Sequence, residues 1–311
     1  MRVRMTRLVL GVVVATVLSA GITPAAAPAT VRGPADPVIA AAGDIACDPR
    51  NPAFRKGNGT GSLCRAADTT RRIERLDPDA VLTLGDNQYD HGRLKAFRRS
   101  YRRSWGTFLD RTSPVPGNHD YETKRAGGYF TYFGARAGER GKGYYSFDLG
   151  TWHVVALNSN CWIVECAADS PQARWLERDL RKRTAGCTLA YWHHPRWSSG
   201  LHGDNPSVAP LLRVLYREGA DVVLAGHDHH YERLAPMTPE GKLDATGGVR
   251  QFIVGTAGAQ LYPVPGKAPH SEVRRKAFGI LEMTLHAGTY DWRFDPLGSG
   301  PDDEGTGICN P

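Results

Sequence analysis

The chain has 311 residues, of which 41% are hydrophobic, and its formal net charge is +7. This length is enough for one large domain with a substantial core. The basic residues form no Lys/Arg-rich tract interleaved with aromatic residues, which argues against a nucleic-acid-binding protein. A mild positive charge favours anionic small-molecule substrates instead.

The first 29 residues have the pattern of a secretory signal peptide. Three arginines among the first seven residues precede an apolar run over residues 8–20, and small residues follow as far as Ala29. An Ala-x-Ala ending is typical of a cleavage site. The apolar run is shorter than the roughly 20 residues of a membrane span, although a retained membrane anchor is the competing interpretation. We predict a secreted monomer without a stable membrane anchor. Its mature chain starts near Thr30, and because the removed segment contains three arginines and no acidic residue, its net charge falls from +7 to +4.

Strand-like runs alternate with helical patterns along residues 30–311, which is typical of a single α/β domain. Hydrophobic periodicity predicts helices over residues 65–76, 93–109, 171–183 and 207–218. Successive strand patterns without an intervening helix predict antiparallel strands within residues 144–157 and 278–294. Residues rich in Pro, Gly, Asn and Thr predict surface loops over 49–61 and 234–248, and a third loop, 196–206, follows the strand that ends near His193.

Six cysteines in a chain predicted to be exported favour disulfides over thiolate metal sites. Six cysteines allow many connectivities, so the sequence alone does not fix the pairing. Closure of short loops favours Cys47 with Cys64 and Cys161 with Cys166. Cys187 would then pair with Cys309 and hold the C-terminal tail to the body of the domain.

Polar side chains that suit a metal ion follow five of the strand-like runs. They are Asp44, Asp86 with Tyr89, Asn118 with His119, His193, and His227 with His229. In an open α/β sheet, ligands bind outside the carboxyl ends of the strands, so these side chains can converge on one crevice. Asp and Asn at such places also serve as helix caps or turn formers, but caps need no accompanying histidines. The leading hypothesis is a site for two metal ions bridged by Asp86, since such a pair stabilises both oxygens in a displacement at phosphorus.

The motifs around these residues, in their order along the chain, resemble those of the calcineurin-like metallophosphoesterases. They read Asp44, Gly85-Asp86-Asn87-Gln88-Tyr89, Gly117-Asn118-His119-Asp120, Trp192-His193-His194-Pro195 and Gly226-His227-Asp228-His229. Within that superfamily the chain is similar to the purple acid phosphatases, in particular to their small, single-domain, tartrate-resistant type. The resemblance implies an α/β fold, a metallophosphoesterase-type β-sandwich of two mixed sheets flanked by helices.

The resemblance also assigns ligands to two metal ions. The first ion would be bound by Asp44, Asp86, Tyr89 and His229, and the second by Asp86, Asn118, His193 and His227. Many relatives carry a histidine ligand where this chain has Ala46, and Tyr89 replaces it, as in the purple acid phosphatases. Because a phenolate suits ferric iron, we expect Fe(III) together with divalent Fe, Zn or Mn. The purple acid phosphatases usually have glycine at the place of Ala46, so we expect the local backbone to differ.

The resemblance places two further histidines near the leaving group. His119 and His202 are candidates for binding phosphate or protonating the departing alkoxide, and Asp120 is expected to orient the ring of His119. His194 is expected to lie beside the ligands rather than among them. The implied reaction is hydrolysis of small phosphorylated substrates, phosphate monoesters above all, by attack of a metal-bound hydroxide. The alternatives are a phosphodiesterase on the same scaffold and a non-catalytic exported binding protein.

Overall fold

The computed structural model of the protein describes residues 36–298 and 303–311, so the predicted signal segment and the start of the mature chain lie outside the described residues. The strands, in chain order, are β1 (Val38–Ala42), β2 (Ala80–Leu84), β3 (Thr112–Val115), β4 (Tyr145–Leu149), β5 (Trp152–Ala156), β6 (Cys187–Tyr191), β7 (Val222–Ala225), β8 (Tyr231–Leu234), β9 (Arg250–Val254), β10 (Ser271–Arg275), β11 (Gly279–Leu285), β12 (Thr289–Pro296) and β13 (Asp303–Ile308).

The helices are short. The α-helices are α1 (Ala66–Leu76), α2 (Leu94–Arg99), α3 (Gly127–Phe133), α4 (Pro171–Leu180) and α5 (Ala209–Arg217). Turns of 3-10 helix occupy Pro52–Gly57, Tyr101–Arg103, Trp105–Arg111, His119–Glu122, Lys124–Ala126, Gly134–Ala137 and Pro206–Val208. None of the helices that the structure describes is both long and apolar enough to cross a bilayer.

The strands form two mixed sheets, and the predicted fold class is confirmed. The first sheet has the order β13-β12-β11-β1-β2-β3, with β1, β2 and β3 parallel. The second has the order β10-β8-β9-β7-β6-β5-β4, with β5, β6, β7 and β9 parallel. The predicted antiparallel strands are also confirmed, as the pairs β4–β5 and β11–β12.

The main hydrophobic core draws buried side chains from both sheets, and a second cluster packs helices α4 and α5 on the other face of the second sheet. Strand β6 shows the alternation that a sheet with two covered faces requires. Leu189 and Tyr191 belong to the main core, whereas Ala190 and Trp192 belong to the second cluster. On α4, Ala173, Leu176 and Leu180 recur at helical spacing along one face, and all three are buried.

The helix predicted over residues 93–109 is interrupted. Helix α2 ends at Arg99, and two 3-10 turns follow it, separated from each other by the non-helical dihedral angles of Ser104. The backbone N–H of Tyr101 donates to the side chain of Gln88 instead of continuing the helix. The buried side chains of Phe97, Tyr101 and Trp105 have helical spacing in the sequence. The hydrogen bond to Gln88, which lies outside the segment, nevertheless interrupts the helix between them.

The three predicted disulfides are confirmed. They join Cys47 to Cys64, Cys161 to Cys166, and Cys187 to Cys309, with sequence separations of 17, 5 and 122 residues. The last bond holds the C-terminal tail to the start of β6.

The two sheets are linked by hydrogen bonds where their parallel strands end. Past β1, the backbone N–H of Gly43 donates to the carbonyl oxygen of Val254 in β9, at 2.9 Å. Past β6, the His193 ring contacts the carbonyl oxygen of Leu84 in β2, at 2.8 Å. The carboxyl ends of strands from both sheets therefore meet at one edge of the domain.

Candidate metal centre

Four of the predicted ligands follow their strands at the same interval. Asp44, Asp86, His193 and His227 each lie two residues beyond the last residue of β1, β2, β6 and β7. Asp44, Asp86 and His227 have φ values of 63°, 46° and 70°. This left-handed conformation is uncommon outside glycine, and it turns the chain sharply at the strand end.

Glycine is required beside these turns because the backbone comes very close to a ligand. A Cβ atom on Gly85, whose φ is +83°, would lie 2.5 Å from Nδ1 of His193. A Cβ atom on Gly117 would lie 2.1 Å from Oδ1 of Asp86. A side chain at either position would displace a predicted ligand.

The first predicted ligand set converges on the hydroxyl oxygen of Tyr89. That oxygen lies 2.8 Å from Oδ1 of Asp44, 3.0 Å from Oδ2 of Asp86 and 3.0 Å from Nε2 of His229. Asp44 and His229 are also adjacent to each other, since Nε2 of His229 is 3.1 Å from Oδ1 of Asp44. All four side chains are buried.

The second predicted set converges on Nε2 of His193. This nitrogen lies 3.1 Å from Oδ1 of Asn118, 3.2 Å from Nδ1 of His227 and 3.4 Å from Oδ2 of Asp86. The same Asp86 oxygen therefore lies against both sets.

These spacings fit metal binding. A metal–oxygen or metal–nitrogen bond is about 2.0–2.2 Å, so neighbouring ligand atoms on one octahedral ion are separated by roughly 3 Å. The donors are carboxylates, an amide, a phenol and imidazoles, which suit iron, zinc or manganese. Thiolates do not contribute, because all six cysteines form disulfides.

The orientation of two histidines supports the same conclusion. Nδ1 of His193 contacts the Leu84 carbonyl oxygen at 2.8 Å, and Nδ1 of His229 contacts the Gln260 carbonyl oxygen at 2.9 Å. A carbonyl accepts a proton from that nitrogen, so in the neutral ring the lone pair is on Nε2. Both lone pairs then face carboxylate oxygens, an arrangement that a cation between them would stabilise.

The shifted pKa values in the ligand cluster indicate that a positive charge is favoured beside Asp86. Burial opposes ionisation of Asp86, but the neighbouring His193 outweighs it and lowers the pKa of this carboxyl. Burial likewise opposes protonation of His193, yet Asp86 raises the pKa of His193 to about 9. Burial and the carboxylate of Asp44 raise the pKa of the Tyr89 phenol. A bound cation would replace the proton on His193 and reverse the effect on the phenol.

The two predicted leaving-group histidines contact different members of the ligand cluster. The His119 ring is 4.4 Å from the Tyr89 ring, and its Nε2 is 3.9 Å from Oδ2 of Asp86. The exposed His202 ring stacks on His227 at 4.3 Å with an interplanar angle of 30°. Each ring is thus adjacent to one of the two ligand sets.

Asp120 contacts groups other than the His119 ring that it was predicted to orient. Its carboxylate accepts hydrogen bonds from Asn87 and from the backbone of Gly117, while the carbonyl oxygen of Asp90 contacts Nδ1 of His119 at 2.6 Å. The 3-10 turn that starts at His119 points successive side chains apart, so Asp120 is buried in the interior. Burial and the charge of Asp86 raise the pKa of Asp120 to about 6.

His194 lies where it was expected, beside the ligands. Its Nδ1 contacts the Ser159 hydroxyl at 2.9 Å, and burial lowers the pKa of His194 to about 3. Ligand atoms of His193, His194 and His227 lie within 4.8 Å of one another, so His194 is a possible donor too. The choice of His193 stays a prediction, supported by its contact with the shared Asp86.

Four residues at the site were not singled out from the sequence. Asp90 contacts His119, and the buried Asp228 accepts a hydrogen bond from the backbone of His202. The Tyr262 ring stacks on His229 at 4.0 Å, and the Trp162 ring contacts His194 edge-on at 5.1 Å. One indication of Trp162 was present in the sequence, since this residue lies between two cysteines only five residues apart.

Comparisons with known proteins agree with this geometry. The family model described as calcineurin-like phosphoesterase matches residues 37–231. Purple acid phosphatase 23 of Arabidopsis thaliana is 32% identical over 215 residues, which are 56% of this chain and 46% of that protein. Acid phosphatase type 7 of Mus musculus is 27% identical over 264 residues, which are 68% of this chain and 56% of that protein. The chain spans about half the length of the curated relatives it matches.

Among solved structures, the purple acid phosphatase PPD1 from seeds of yellow lupin (Lupinus luteus) matches with a TM-score of 0.72 at 17% identity. The match covers 88% of this chain and 54% of that chain. GAP50, described as the anchor in the inner membrane complex of Plasmodium, matches with a TM-score of 0.59 at 14% identity, over 89% of both chains. These structural likenesses show the fold alone, and the predicted resemblance to purple acid phosphatases is confirmed by the family and sequence matches.

Proposed function

Because this chain belongs to the calcineurin-like phosphoesterase family, we propose that it is a dinuclear, metal-dependent phosphatase that hydrolyses phosphate monoesters. The observation that carries the proposal is the position of one Asp86 oxygen, 3.0 Å from the Tyr89 hydroxyl and 3.4 Å from Nε2 of His193. A carboxylate oxygen in contact with two sets of metal-type donors is what a bridging ligand requires.

We propose the following ligands. Asp44, Asp86, Tyr89 and His229 would hold one ion, and Asp86, Asn118, His193 and His227 would hold the other. Two such ions supply Lewis acidity towards the phosphate oxygens and lower the pKa of a bound water. The phenol of Tyr89 favours Fe(III) for the first ion, with divalent Fe, Zn or Mn for the second.

The chain's own residues would orient the substrate and move protons. Because the Asp90 carbonyl accepts the proton on Nδ1 of His119, the Nε2 atom of this ring is left for a phosphate or ester oxygen. His202 presents an exposed ring beside the second ligand set, stacked on His227. Protonation of the departing alkoxide by one of these imidazoles would contribute roughly 10²-fold or more to the rate.

We also propose secretion and small phosphorylated substrates. Three disulfides fit an oxidising compartment, since reducing conditions in a cytosol would keep such thiols free. The predicted signal segment supports the same location.

The test is metal content and turnover of the purified protein. We expect close to two metal ions per chain, loss of activity on chelation, and faster hydrolysis of an aryl phosphate than of a bis-aryl phosphate. Preference for the bis-aryl phosphate would instead indicate a phosphodiesterase. Protein that binds no metal and hydrolyses neither compound would contradict the proposal and favour a non-catalytic binding protein.

A further inference from the structure

We propose that Trp162 is a specificity-determining residue, whose indole forms a wall against which a planar aromatic leaving group of the phosphate monoester lies. This inference rests on the proposed phosphatase function and names the substrate class that the crevice favours.

The first observation is the exposure of Trp162. In the part of the chain that the structure describes, five large hydrophobic side chains are exposed. Trp162 has the largest side chain of the five, and 63% of its surface is exposed. Ile163, at 46%, is on the same loop, and Leu201, at 56%, precedes His202 on the loop over residues 196–206. Three of the five therefore lie on the two loops beside the candidate centre. Exposed apolar side chains around a polar crevice are typical of a ligand-binding surface.

The second observation is the distance from Trp162 to the ligand cluster. The His194 ring lies 4.4 Å from the His227 ring on one side and 5.1 Å from the Trp162 ring on the other. Trp162 is thus one imidazole ring beyond a predicted metal ligand. A leaving group attached to a phosphate at the centre would extend over this distance within a few bonds.

The third observation is that Trp162 is held in place without being buried. The Cys161–Cys166 disulfide closes its loop, and the backbone N–H groups of Ile163 and Val164 donate to the carbonyl oxygen of Asn160 at 2.8 and 2.9 Å. The buried Asn160 side chain donates in turn to the carbonyl oxygen of Pro116, at 3.0 Å. Pro116 precedes the turn that carries Asn118, so the loop is fixed to the candidate centre itself. A pre-ordered surface of this kind loses little conformational entropy when a ligand binds.

A second aromatic side chain lies against the candidate centre. Tyr262 stacks on His229 at 4.0 Å, and its ring is 5.6 Å from His202. Aromatic rings attract other rings through edge-to-face or offset-stacked contacts beyond the area they bury. A planar aromatic group therefore fits this crevice better than a saturated group of equal size.

The experiment compares benzyl phosphate, whose ring is planar and aromatic, with cyclohexylmethyl phosphate, whose ring is saturated and puckered. Each ester is paired with the homologue that has a linker of two carbons, to allow for reach. In the Trp162→Ala variant we expect kcat/KM to fall roughly 3- to 10-fold for the aromatic esters, mainly through KM, and less than about 2-fold for the saturated ones. Trp162→Phe should retain most of the wild-type preference. Leu243→Ala, which removes an exposed apolar side chain outside these two loops, is the matched control and should change neither ester. An equal loss on both esters, or no loss, would overturn the proposal.

Binding of two phosphonates provides a readout that needs no turnover. Calorimetry should show that benzylphosphonate binds the wild type more tightly than cyclohexylmethylphosphonate, and that Trp162→Ala removes this difference. If the wild type keeps that binding preference but hydrolyses no ester, the phosphatase proposal fails while the role of Trp162 stands. If Trp162→Ala binds both phosphonates as the wild type does, the role of Trp162 is wrong even in an active phosphatase.

Discussion

The buried ligand cluster and the exposed rim of the crevice are built in opposite ways. In the cluster, Asp44 and His193 are fully buried, and hydrogen bonds at their outer ends fix their orientation. On the rim, His202 and Trp162 are exposed. His202 stacks on the predicted ligand His227, and Trp162 contacts His194 beside the ligands. Ligand atoms that must meet at one point need fixed positions, whereas groups that meet a substrate must stay open to solvent. The buried cluster is therefore suited to holding metal ions, and the exposed rim is suited to binding and selecting a substrate.

One buried side chain joins the two regions. Asp228 lies between His227 and His229, and its carboxylate accepts hydrogen bonds from the hydroxyl of Ser198 and from the backbone N–H of His202. The rim loop that carries His202 is thereby positioned by the same turn that carries two predicted ligands. Asp228 therefore links the position of the His202 loop to the position of the ligand turn.

The largest effect should come from the shared ligand. Asp86→Asn removes a charge in contact with both donor sets, so we expect kcat to fall roughly 10³-fold or more and the metal content to drop below one ion per chain. Elemental analysis and steady-state kinetics measure both quantities. Asp110→Asn, at an exposed aspartate, is the matched control. A variant that kept two ions and full activity would remove Asp86 from the cluster.

Tyr89→Phe tests the identity of the metal. If the first ion is Fe(III) bound by a tyrosinate, the wild type should show a visible charge-transfer band that the variant lacks. We expect kcat to fall by at least roughly 10-fold, because the phenylalanine ring lacks the oxygen that would bind the first ion. Visible absorption and iron content on the same samples provide the measurement. A band that persists in the iron-loaded variant would refute ligation by Tyr89.

Asp228→Asn should separate the rim from the cluster. The amide loses one acceptor oxygen, so one of the bonds to the His202 loop weakens. We expect kcat to fall roughly 10-fold because the His202 ring is displaced, while the metal content is unchanged. Ser198→Ala removes the other partner and should give a smaller loss of kcat. Loss of metal in Asp228→Asn would mean that this carboxylate serves the cluster rather than the rim.

The smallest expected effect lies outside both regions. Burial disfavours the protonated form of His153, but contacts with Asp179 at 2.9 Å and Asp148 at 2.8 Å outweigh it and raise the pKa of His153. Because the pKa of His153 is higher in the folded state, protonation of this ring stabilises the fold. The contribution is complete below the unfolded-state pKa of about 6.5, and it is lost as the pH rises through the folded-state pKa.

His153→Gln should therefore lower the free energy of unfolding more at pH 5.5 than at pH 8.5. The difference should be under about 1 kcal/mol, because Asp148 is largely exposed. Urea denaturation at the two pH values measures it, and kcat should not change. An equal loss at both pH values would mean that packing, not charge, is what His153 contributes.

Much of the fold followed from local patterns. The strand runs, the apolar face of α4 and the antiparallel pairs were all predictable, because burial on one face or two leaves a period in the sequence. The helix predicted over residues 93–109 failed for a non-local reason. Gln88 accepts the N–H of Tyr101, and no periodicity within the segment could indicate a bond to a residue outside it.

The candidate site divides in the same way. The sequence by itself determined which side chains end the parallel strands, and register within each sheet places Asp44 beside Asp86 and His193 beside His227. The packing of the two sheets then brought these two pairs together. The tertiary structure decided the contacts between loops: Asp90 rather than Asp120 beside His119, and Trp162 beside His194. Strand ends are placed by a repeating hydrogen-bond pattern, whereas the approach of two irregular loops depends on the packing of the whole domain.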